Sequence, residues 1–435
     1  MPSAEELLAT LRSRLGDDAV SEDTAAFTIG GRAPVCVLFP SSVAQVSEVL
    51  GVAEEQRLAV VPVGQGTHLR VGEPPRSYDI ALSSCRMARV IAHEAADMTA
   101  TVEAGLTLAA LDAALSPAGQ WLPLDPPCRE RVTVGGLIAA DLNGPLRLSQ
   151  GKVRDLLIGI TVVLADGSVV KGGGRVVKNV AGYDLGKLFT GSLGTLGVIV
   201  EATFKIRPRP EHTRVLWIGA PDLKAAGDLA GDLLETDTEP LFVELLDHTA
   251  GREAGMSGPG VAVGLGGIVE EVAAQQTLLA QHYAGLYPCA EPEAQRLMHW
   301  LRQFPLATDG AAPRDTLSAR LSLLPTELAT LLPRLVPEAA TRGLHAAVVA
   351  HAGSGIARLR AQAGDVTAAA QFCEWLRLAG RVRGGWVVFD SLPDALTGRI
   401  DRFGEAGPAL SLMRGIKQQL DRNGILSPGR YIGGI

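Results

Sequence analysis

Apolar residues in this chain recur at two periods, and the alternation of those periods predicts a mixed helix and strand architecture. The opening MPSAEELLATLRSRLGDD is a mixed-charge amphipathic helix. Residues 33–39 form a short apolar strand ending at Pro40. Ser42 with Gln45 then makes a capping box, and Val43, Val46, Val49, Leu50 and Ala53 follow at helical spacing. Strands are predicted over 59–63 and 99–104, and Leu108, Leu111 and Leu115 mark a helix face. Residues 157–164 and 168–171 flank Asp166-Gly167, a strong short-range hairpin signal. Val198, Val200, Ala202, Phe204 and Ile206 alternate with mostly polar neighbours, which describes a half-buried strand.

Beyond residue 213 the pattern changes. Strands are predicted over 215–219, 241–246 and 261–265, with helices over 223–234 and 269–283. A second set follows: strand 319–323, helix 326–335, strands 344–350 and 355–359, helix 366–378 and strand 386–390. That order is β-α-β-β-α-β, a ferredoxin-like unit. The first set resembles it but is incomplete, so a degenerate duplication is expected. Residues 288–314 read as irregular. Leu410, Met413, Ile416 and Leu420 make a final amphipathic helix stopped by Gly424.

A length of 435 residues is too long for one ordinary core, so two or more domains are expected. With 47% hydrophobic residues a large interior is feasible, yet no apolar run approaches the ~20 residues of a membrane span. The N-terminus has no apolar signal core, so secretion is not expected. A net charge of −7 without long basic runs argues against nucleic acid as a partner. The five cysteines are scattered, with neither a CxxC pair nor ferredoxin-type spacing, which fits a reducing cytoplasm and no iron–sulfur cluster in this chain.

The stretch 123–208 changes the picture most. Glycine recurs there singly and in pairs (Gly135-Gly136, Gly144, Gly151, Gly159, Gly182, Gly191, Gly194, Gly197) between short β-type runs. So many glycines among strands suggest a long ligand laid along the backbone. Upstream, the strand at 59–63 runs into Gly64-Gln65-Gly66-Thr67-His68, where consecutive backbone N–H groups can converge on an anion. The dinucleotide fingerprint fails there, because Leu69 stands where its third glycine belongs.

Taken together, Gly64-Gln65-Gly66-Thr67, Gly119-Gln120-Trp121-Leu122-Pro123-Leu124-Asp125-Pro126-Pro127, Thr133-Val134-Gly135-Gly136, Gly151 with Arg154-Asp155, Lys178-Asn179-Val180-Ala181-Gly182-Tyr183-Asp184 and Gly191-Ser192-Leu193-Gly194-Thr195-Leu196-Gly197 resemble the vanillyl-alcohol-oxidase (PCMH) type of FAD-binding domain. Within that superfamily the chain is similar to the FAD-binding subunits of bacterial glycolate oxidase. The resemblance covers roughly the first half and returns at the tail Ser427-Pro428-Gly429-Arg430, where Ser427 stands at the usual asparagine. It implies an α+β fold, with a two-subdomain FAD-binding domain followed by an antiparallel-sheet cap with ferredoxin-like elements. The expected boundaries are an N-terminal helix over 1–30, the FAD-binding domain over 31–210, the cap over 211–405, and a helix and tail over 406–435 returning to the FAD domain.

The resemblance also implies cofactor contacts. The loops Gly64 to Thr67 and Thr133 to Gly136 would grip the FAD diphosphate through backbone N–H groups, flanked by Pro62, Val63 and His68. Leu124, Asp125 and Pro126 would lie near the isoalloxazine, and Gly197, Val198 and Ile199 near the adenine or the ring system. Gly144, Arg154, Asp155, Lys178, Asn179, Gly182, Tyr183 and Arg430 complete the implied set. For Arg154-Asp155 and Lys178-Asn179 the alternative is a surface salt bridge and a turn. Tyr183 would either meet the flavin or sit in the core with its hydroxyl satisfied.

His68 and Cys128 lie near positions where some relatives attach FAD covalently, each one residue out of step, so non-covalent FAD is expected. Relatives of the 2-hydroxy-acid branch have His-Ala-Gly-Asp-Gly-Asn near a metal and substrate site. This chain has His351-Ala352-Gly353-Ser354-Gly355-Ile356, and neither His345 nor Glu374 supplies metal spacing, so no metal is expected and no catalytic base stands out.

Three readings follow. One is the FAD-carrying subunit of a glycolate-oxidase complex, with a second FAD-containing subunit and an iron–sulfur subunit, oxidising glycolate or a related 2-hydroxy acid. Such a complex would be cytoplasmic, peripheral on the inner membrane face through its partners. Another is a self-sufficient, D-lactate-like 2-hydroxy-acid dehydrogenase. The third is a non-catalytic assembly subunit that keeps the fold.

Overall fold

The computed structural model describes residues 3–174, 183–304, 315–362 and 364–435. The helix Ala4–Leu15 begins with a full capping box between Ser3 and Glu6 and buries Leu7, Leu11 and Leu15. It packs on a four-stranded sheet of β1 (Val20–Ser21), β2 (Cys36–Leu38), β3 (Val60–Val63) and β4 (Ile80–Ser83), in the order β1-β2-β4-β3. The β2, β4 and β3 strands are parallel, as the crossover helix Val43–Gln56 requires. At the start of that helix Ser42 accepts the Gln45 N–H, but the Gln45 side chain turns back to the Ser41 N–H, one residue earlier than the box expected.

A second sheet is antiparallel. It contains β5 (Val90–Glu94) and β6 (Thr99–Glu103), then, after the short β7 (Gln120–Trp121), β8 (Leu157–Val163), β9 (Val169–Gly173) and β10 (Val198–Lys205). Its order is β5-β6-β10-β8-β9. The Asp166-Gly167 turn joins β8 and β9 as a hairpin. Strand β10 is not half-buried. It is buried on both faces nearly throughout, with Val198 and Val200 in the core shared with the first sheet and Ala202 and Phe204 in the core under the helices Leu108–Leu115 and Val134–Ala140. Being central to both cores, it has no solvent face. Strand β11 (Arg207–Pro208) pairs with β7 and leads into the cap.

The cap is one eight-stranded antiparallel sheet of β12 (His212–Gly219), β13 (Phe242–Leu246), β14 (Gly260–Gly267), β15 (Leu286–Pro288), β16 (Thr316–Ser322), β17 (His345–His351), β18 (Ile356–Gln362) and β19 (Trp386–Ser391). Its order, β15-β12-β14-β13-β17-β18-β16-β19, is two copies of the ferredoxin-like order 4-1-3-2, joined where β13 pairs with β17. The duplication is therefore complete. The sequence reading missed β15, three residues at a sheet edge, too short to show a period. The stretch expected to be irregular contains the helix Glu291–Gln303, with Pro292 in its first turn, where a missing N–H costs nothing. Helices 223–234, 269–282, 325–340 and 366–382 cover one face of this sheet and form the largest core with it. The other face meets the N-terminal domain built on the first two sheets.

After the helix Leu410–Leu420, the tail adds to the free edge of β3. Val60 N–H donates to Ile425 O at 2.8 Å and Ser427 N–H donates to Val60 O at 2.8 Å. Ser427 is fully buried with φ +44°, a left-handed backbone state that asparagine adopts more readily than serine. No helix of the described residues is long and apolar enough to cross a membrane.

Candidate functional site

Strand β3 delivers Gly64-Gln65-Gly66-Thr67-His68 to the N-terminus of the helix Val134–Ala140, whose cap Thr133 accepts the Gly136 N–H at 3.2 Å. The two segments touch so closely that a Cβ on Gly64 would overlap Thr133 Oγ1. Between them is a cleft holding about 60 Å³ of space, lined also by Leu69, Ala139, Ala140, Leu193 and Arg430. Gly66 turns with φ +77°, open to glycine at no cost. The N–H groups of Gln65, Gly66 and Thr67 donate to no backbone carbonyl among the described residues.

The electrostatics favour an anion. No carboxylate lines the cleft. Arg430 is fully enclosed, and its Nη2 donates to Leu69 O at 2.9 Å and Val71 O at 2.7 Å. Its Nη1 is buried with no protein partner. Burial lowers the Arg430 pKa to about 10, which still leaves a cation at neutral pH. His68 Nε2 lies 3.3 Å from Pro127 O, and since a carbonyl only accepts, Nε2 carries the hydrogen. Burial pushes this imidazole down to about 4, so it is neutral, and its Nδ1 lone pair is buried without a partner. Unspent donors, a buried guanidinium and a close backbone fit the requirements of a diphosphate.

Ten predicted residues thus meet at one cleft: Pro62, Val63, Gly64, Gln65, Gly66, Thr67, His68, Thr133, Gly136 and Arg430. Others do not line it. Val134 is buried in the core, and Gly135 N–H donates to Ala104 O at 2.7 Å. Gly197 is a packing glycine against Val162, and Val198 and Ile199 lie inside β10. Arg154 and Asp155 stand 3.9 Å apart at the surface, and Asp155 Oδ2 accepts the Lys152 N–H, which matches their structural alternative. Tyr183 is 93% exposed, neither in the core nor against the cleft. Lys178, Asn179 and Gly182 lie outside the described residues. Cys128 follows the carbonyl that holds His68, with φ +53° and its N–H donating to Gln303 Oε1 at 3.2 Å.

A second cluster lies on the cap face turned to the N-terminal domain. His351 Nδ1 is 2.5 Å from Glu244 Oε1, and Arg358 Nε donates to His351 Nε2 at 3.4 Å. Arg358 Nη2 donates to Asn143 O at 3.0 Å, and its Nη1 lies 3.7 Å from Asp390 Oδ2. Both nitrogens of His351 are occupied, which leaves no lone pair for a metal or a substrate proton in this arrangement. His345 is exposed, Glu374 lies on an outer helix, and no group of three or more His, Cys, Asp or Glu among the described residues could hold a metal ion.

Leu124 and Asp125 are buried beside Gly144, at the seam between the two clusters. Asp125 Oδ2 accepts the Leu146 N–H at 3.2 Å, with Arg302 Nε 3.9 Å away, and burial raises its pKa to about 6. Sequence reasoning missed Glu244, Arg358, Asp390 and Leu193. For Arg358 a signal existed: it is a charged residue at an inward position of an alternating strand.

Residues 34–173 match the family model described as the FAD binding domain. This segment is an FAD-binding domain. Beyond it, the chain is 34% identical over 215 residues to glycolate oxidase subunit GlcD of Bacillus subtilis, covering 49% of this chain and 46% of that protein. It is 32% identical over 337 residues to the mitochondrial D-lactate dehydrogenase [cytochrome] of Arabidopsis thaliana, covering 74% and 59%. Over 122 residues it is 42% identical to glycolate oxidase subunit GlcE of Escherichia coli, covering 28% and 35%. The alignments thus span between 35% and 59% of the length of these curated relatives. Among solved structures, p-cresol methylhydroxylase with substrate bound superposes with a TM-score of 0.77 at 16% identity, over 98% of this chain and 96% of that one. The FAD-binding domain and its antiparallel cap therefore share the PCMH-type fold.

Proposed function

We propose that this chain is the FAD-binding subunit of a complex of the glycolate oxidase (glycolate dehydrogenase) type. It would oxidise glycolate or a related 2-hydroxy acid to the 2-oxo acid and pass the electrons to a partner. The observation that carries this reading is the anion cleft at Gly64, Thr133 and Arg430 inside a segment of the FAD-binding family. FAD, when bound, supplies the acceptor for the substrate's hydride. The unspent N–H groups of residues 65–67 and Arg430 would hold its diphosphate, and the Leu124-Asp125-Pro126 wall would face its ring. The flavin is held without a covalent bond, since Nδ1 of His68 and the thiol of Cys128 lie at positions one residue out of step with the attached relatives. The likeness to GlcD and GlcE supports membership of a multi-subunit assembly, with a second FAD-containing subunit, an iron–sulfur subunit and only indirect contact with the inner membrane face.

A second reading is a self-sufficient dehydrogenase of the D-lactate type. The likeness to the Arabidopsis enzyme favours it, because the aligned 74% of this chain extends beyond the FAD-binding segment into the cap. One experiment separates the readings. The chain is purified alone, its flavin is counted from the visible spectrum, and glycolate or D-lactate is added without oxygen. Stoichiometric flavin that neither acid bleaches, with bleaching restored by co-expressed partners, supports the subunit. Bleaching by D-lactate in the chain alone supports the second reading. A folded chain that takes up no FAD sinks both. Acid precipitation tests attachment: flavin left in the pellet would overturn the non-covalent reading.

A further inference from the structure

The tail that pairs with β3 also borders a second cleft. This cleft holds about 330 Å³ of space between the helix Leu410–Leu420, the turn that follows it and the last residues of the tail. It shares no lining residue with the cleft at Gly64, Thr133 and Arg430. Pro428 and Gly429 line the second cleft and the next residue, Arg430, lines the first, so the tail touches both. Four cations and one acidic side chain surround the second cleft. The acid, Asp421, is buried and spent. Its Oδ1 accepts the Ile425 N–H at 2.9 Å, and its Oδ2 accepts the Leu426 N–H at 2.8 Å and Lys417 Nζ at 2.5 Å. Lys417 also donates to Thr195 O at 2.7 Å and Leu426 O at 2.8 Å, which uses all three of its hydrogens. That pair is neutral internal structure.

The charge left over belongs to Arg76, Arg414 and Arg422. All three are exposed, and none has an ion pair among the described residues. Arg422 acts on Glu54 only beyond ion-pair distance, and Glu54 lies outside the cleft, accepting Asn423 Nδ2 at 2.7 Å. Exposed arginines are ordinarily solvated and make no site by themselves, but the tail places two of these. Arg76 lies across Gly429 and Gly434: a Cβ on Gly429 would stand 2.6 Å from Arg76 Cγ, and one on Gly434 would overlap Arg76 Nη2. Both glycines have left-handed backbone, φ +83° and +76°. The Arg76 N–H donates to Pro428 O at 2.8 Å, and Arg414 Nη2 donates to Gly433 O at 3.1 Å. One stretch of tail thus seats two guanidinium groups at one cleft and leaves most of their donors unspent. Like charges gathered there repel, and an anion between them turns that repulsion into attraction.

We propose that Arg76, Arg414 and Arg422 form a phosphate-binding site on the outer side of the tail. A guanidinium presents a planar fork of donors that matches phosphate oxygens. Three such forks around one volume suit a tetrahedral, multiply charged group better than a single planar carboxylate. The recognised chemistry is the phosphate itself, carried by a free ligand or by a lipid headgroup. A phosphate held here would brace the tail from which Arg430 reaches the first cleft.

The test titrates inorganic pyrophosphate calorimetrically into the full chain at low ionic strength, loaded with FAD so that the first cleft is filled. Pyrophosphate should bind the parent. Its affinity should fall about tenfold or more in Arg414→Gln and in Arg422→Gln, and less in Arg414→Lys, as expected when a charge-assisted bond is lost. Arg381→Gln, at an exposed position of the helix 366–382, removes the same charge elsewhere and should stay within about twofold of the parent. All these side chains are exposed, so the variants should melt with the parent. A parallel arm sediments the chain with phosphatidylcholine vesicles, with and without phosphatidic acid. Pyrophosphate binding assigns the site to a free phosphate ligand. Binding to phosphatidic acid vesicles alone, lost in Arg414→Gln and Arg422→Gln, assigns it to a lipid headgroup. An equal loss in Arg381→Gln, affinity within about twofold of the parent in Arg414→Gln or Arg422→Gln, or no binding in either arm overturns the proposal. A chain that takes up no FAD sinks the flavin reading, while the same comparison of variants still decides this site.

Discussion

At the scale of single residues, Gly64 and Arg430 carry the most consequence. A methyl group on Gly64 would overlap Thr133 Oγ1, so Gly64→Ala must displace the residue that caps the helix Val134–Ala140. Losing such a cap costs about 1 kcal/mol. We expect Gly64→Ala to keep its far-ultraviolet dichroism and to lose FAD affinity by about tenfold or more, since the backbone can no longer approach the cofactor closely. Equilibrium dialysis of FAD checks this, and unchanged affinity would remove residue 64 from the cradle. Asp125 gives a prediction in pH. Burial holds its folded pKa near 6, above the ordinary 3.8, so the folded state binds more protons than the unfolded between those values. Its contribution to stability is therefore greatest at low pH and is lost as pH rises through about 6. The full shift amounts to about 3 kcal/mol. Asp125→Asn should gain on the parent between pH 4.5 and 7.5 in urea denaturation, and an equal difference at both values would refute it. The residues legible in advance were those whose chemistry lies in the backbone: glycines at Gly64, Gly66 and Gly136 mark close approach whatever the surroundings. Tyr183, Gly197 and Ile199 were not, because a stacking ring or a packing glycine is defined by what lies across from it.

At the scale of elements, the loop after β3 is held by two buried arginines from distant parts of the chain. Arg430 of the tail takes the carbonyls of Leu69 and Val71. Arg402, beyond the last cap strand, donates from Nη1 to Arg70 O at 2.7 Å, and its own N–H donates to Glu73 Oε1 at 2.5 Å. The loop's carbonyls are consumed from behind, which leaves its N–H groups free to face the cleft. Arg402→Met should therefore loosen the loop and speed the release of flavin by about tenfold, the loss of roughly one charged hydrogen bond. Stopped-flow fluorescence of flavin release, compared with Arg402→Lys, would show it, and an unchanged rate would mean that Arg430 suffices. Element assignment from the sequence succeeded where a period could repeat, as in the helix Leu223–Leu234 or the strand His345–His351. It failed at β15 and at the helix Glu291–Gln303. The first is too short for a period, and the second is so polar on its exposed side, with two prolines near it, that only its buried Ala294, Leu297 and Leu301 declare a core face.

At the scale of the whole molecule, Arg358 links the two halves. Its Nη2 holds the Asn143 carbonyl of the FAD-side domain while its other nitrogens face His351 and Asp390 of the cap. Removing it leaves Asp390 buried without its cation, a loss of about 3–5 kcal/mol. We expect Arg358→Met to unfold at lower urea with separated transitions for cap and FAD-binding domain, and a single transition at the parent's midpoint would show that the halves cohere without it. The sequence by itself determined the glycine loops that meet at the cleft, most of the helices and strands and the second half of the doubled cap, because turn chemistry and hydrophobic period are local properties of neighbouring residues. Tertiary structure alone decided which polar residues oppose one another. Glu244, His351 and Arg358 come from three strands, Asn143 from another domain, and Arg430 from the tail. Whether a buried charge is compensated or left free depends on register and on domain contact, and neither is written in the spacing of residues along the chain.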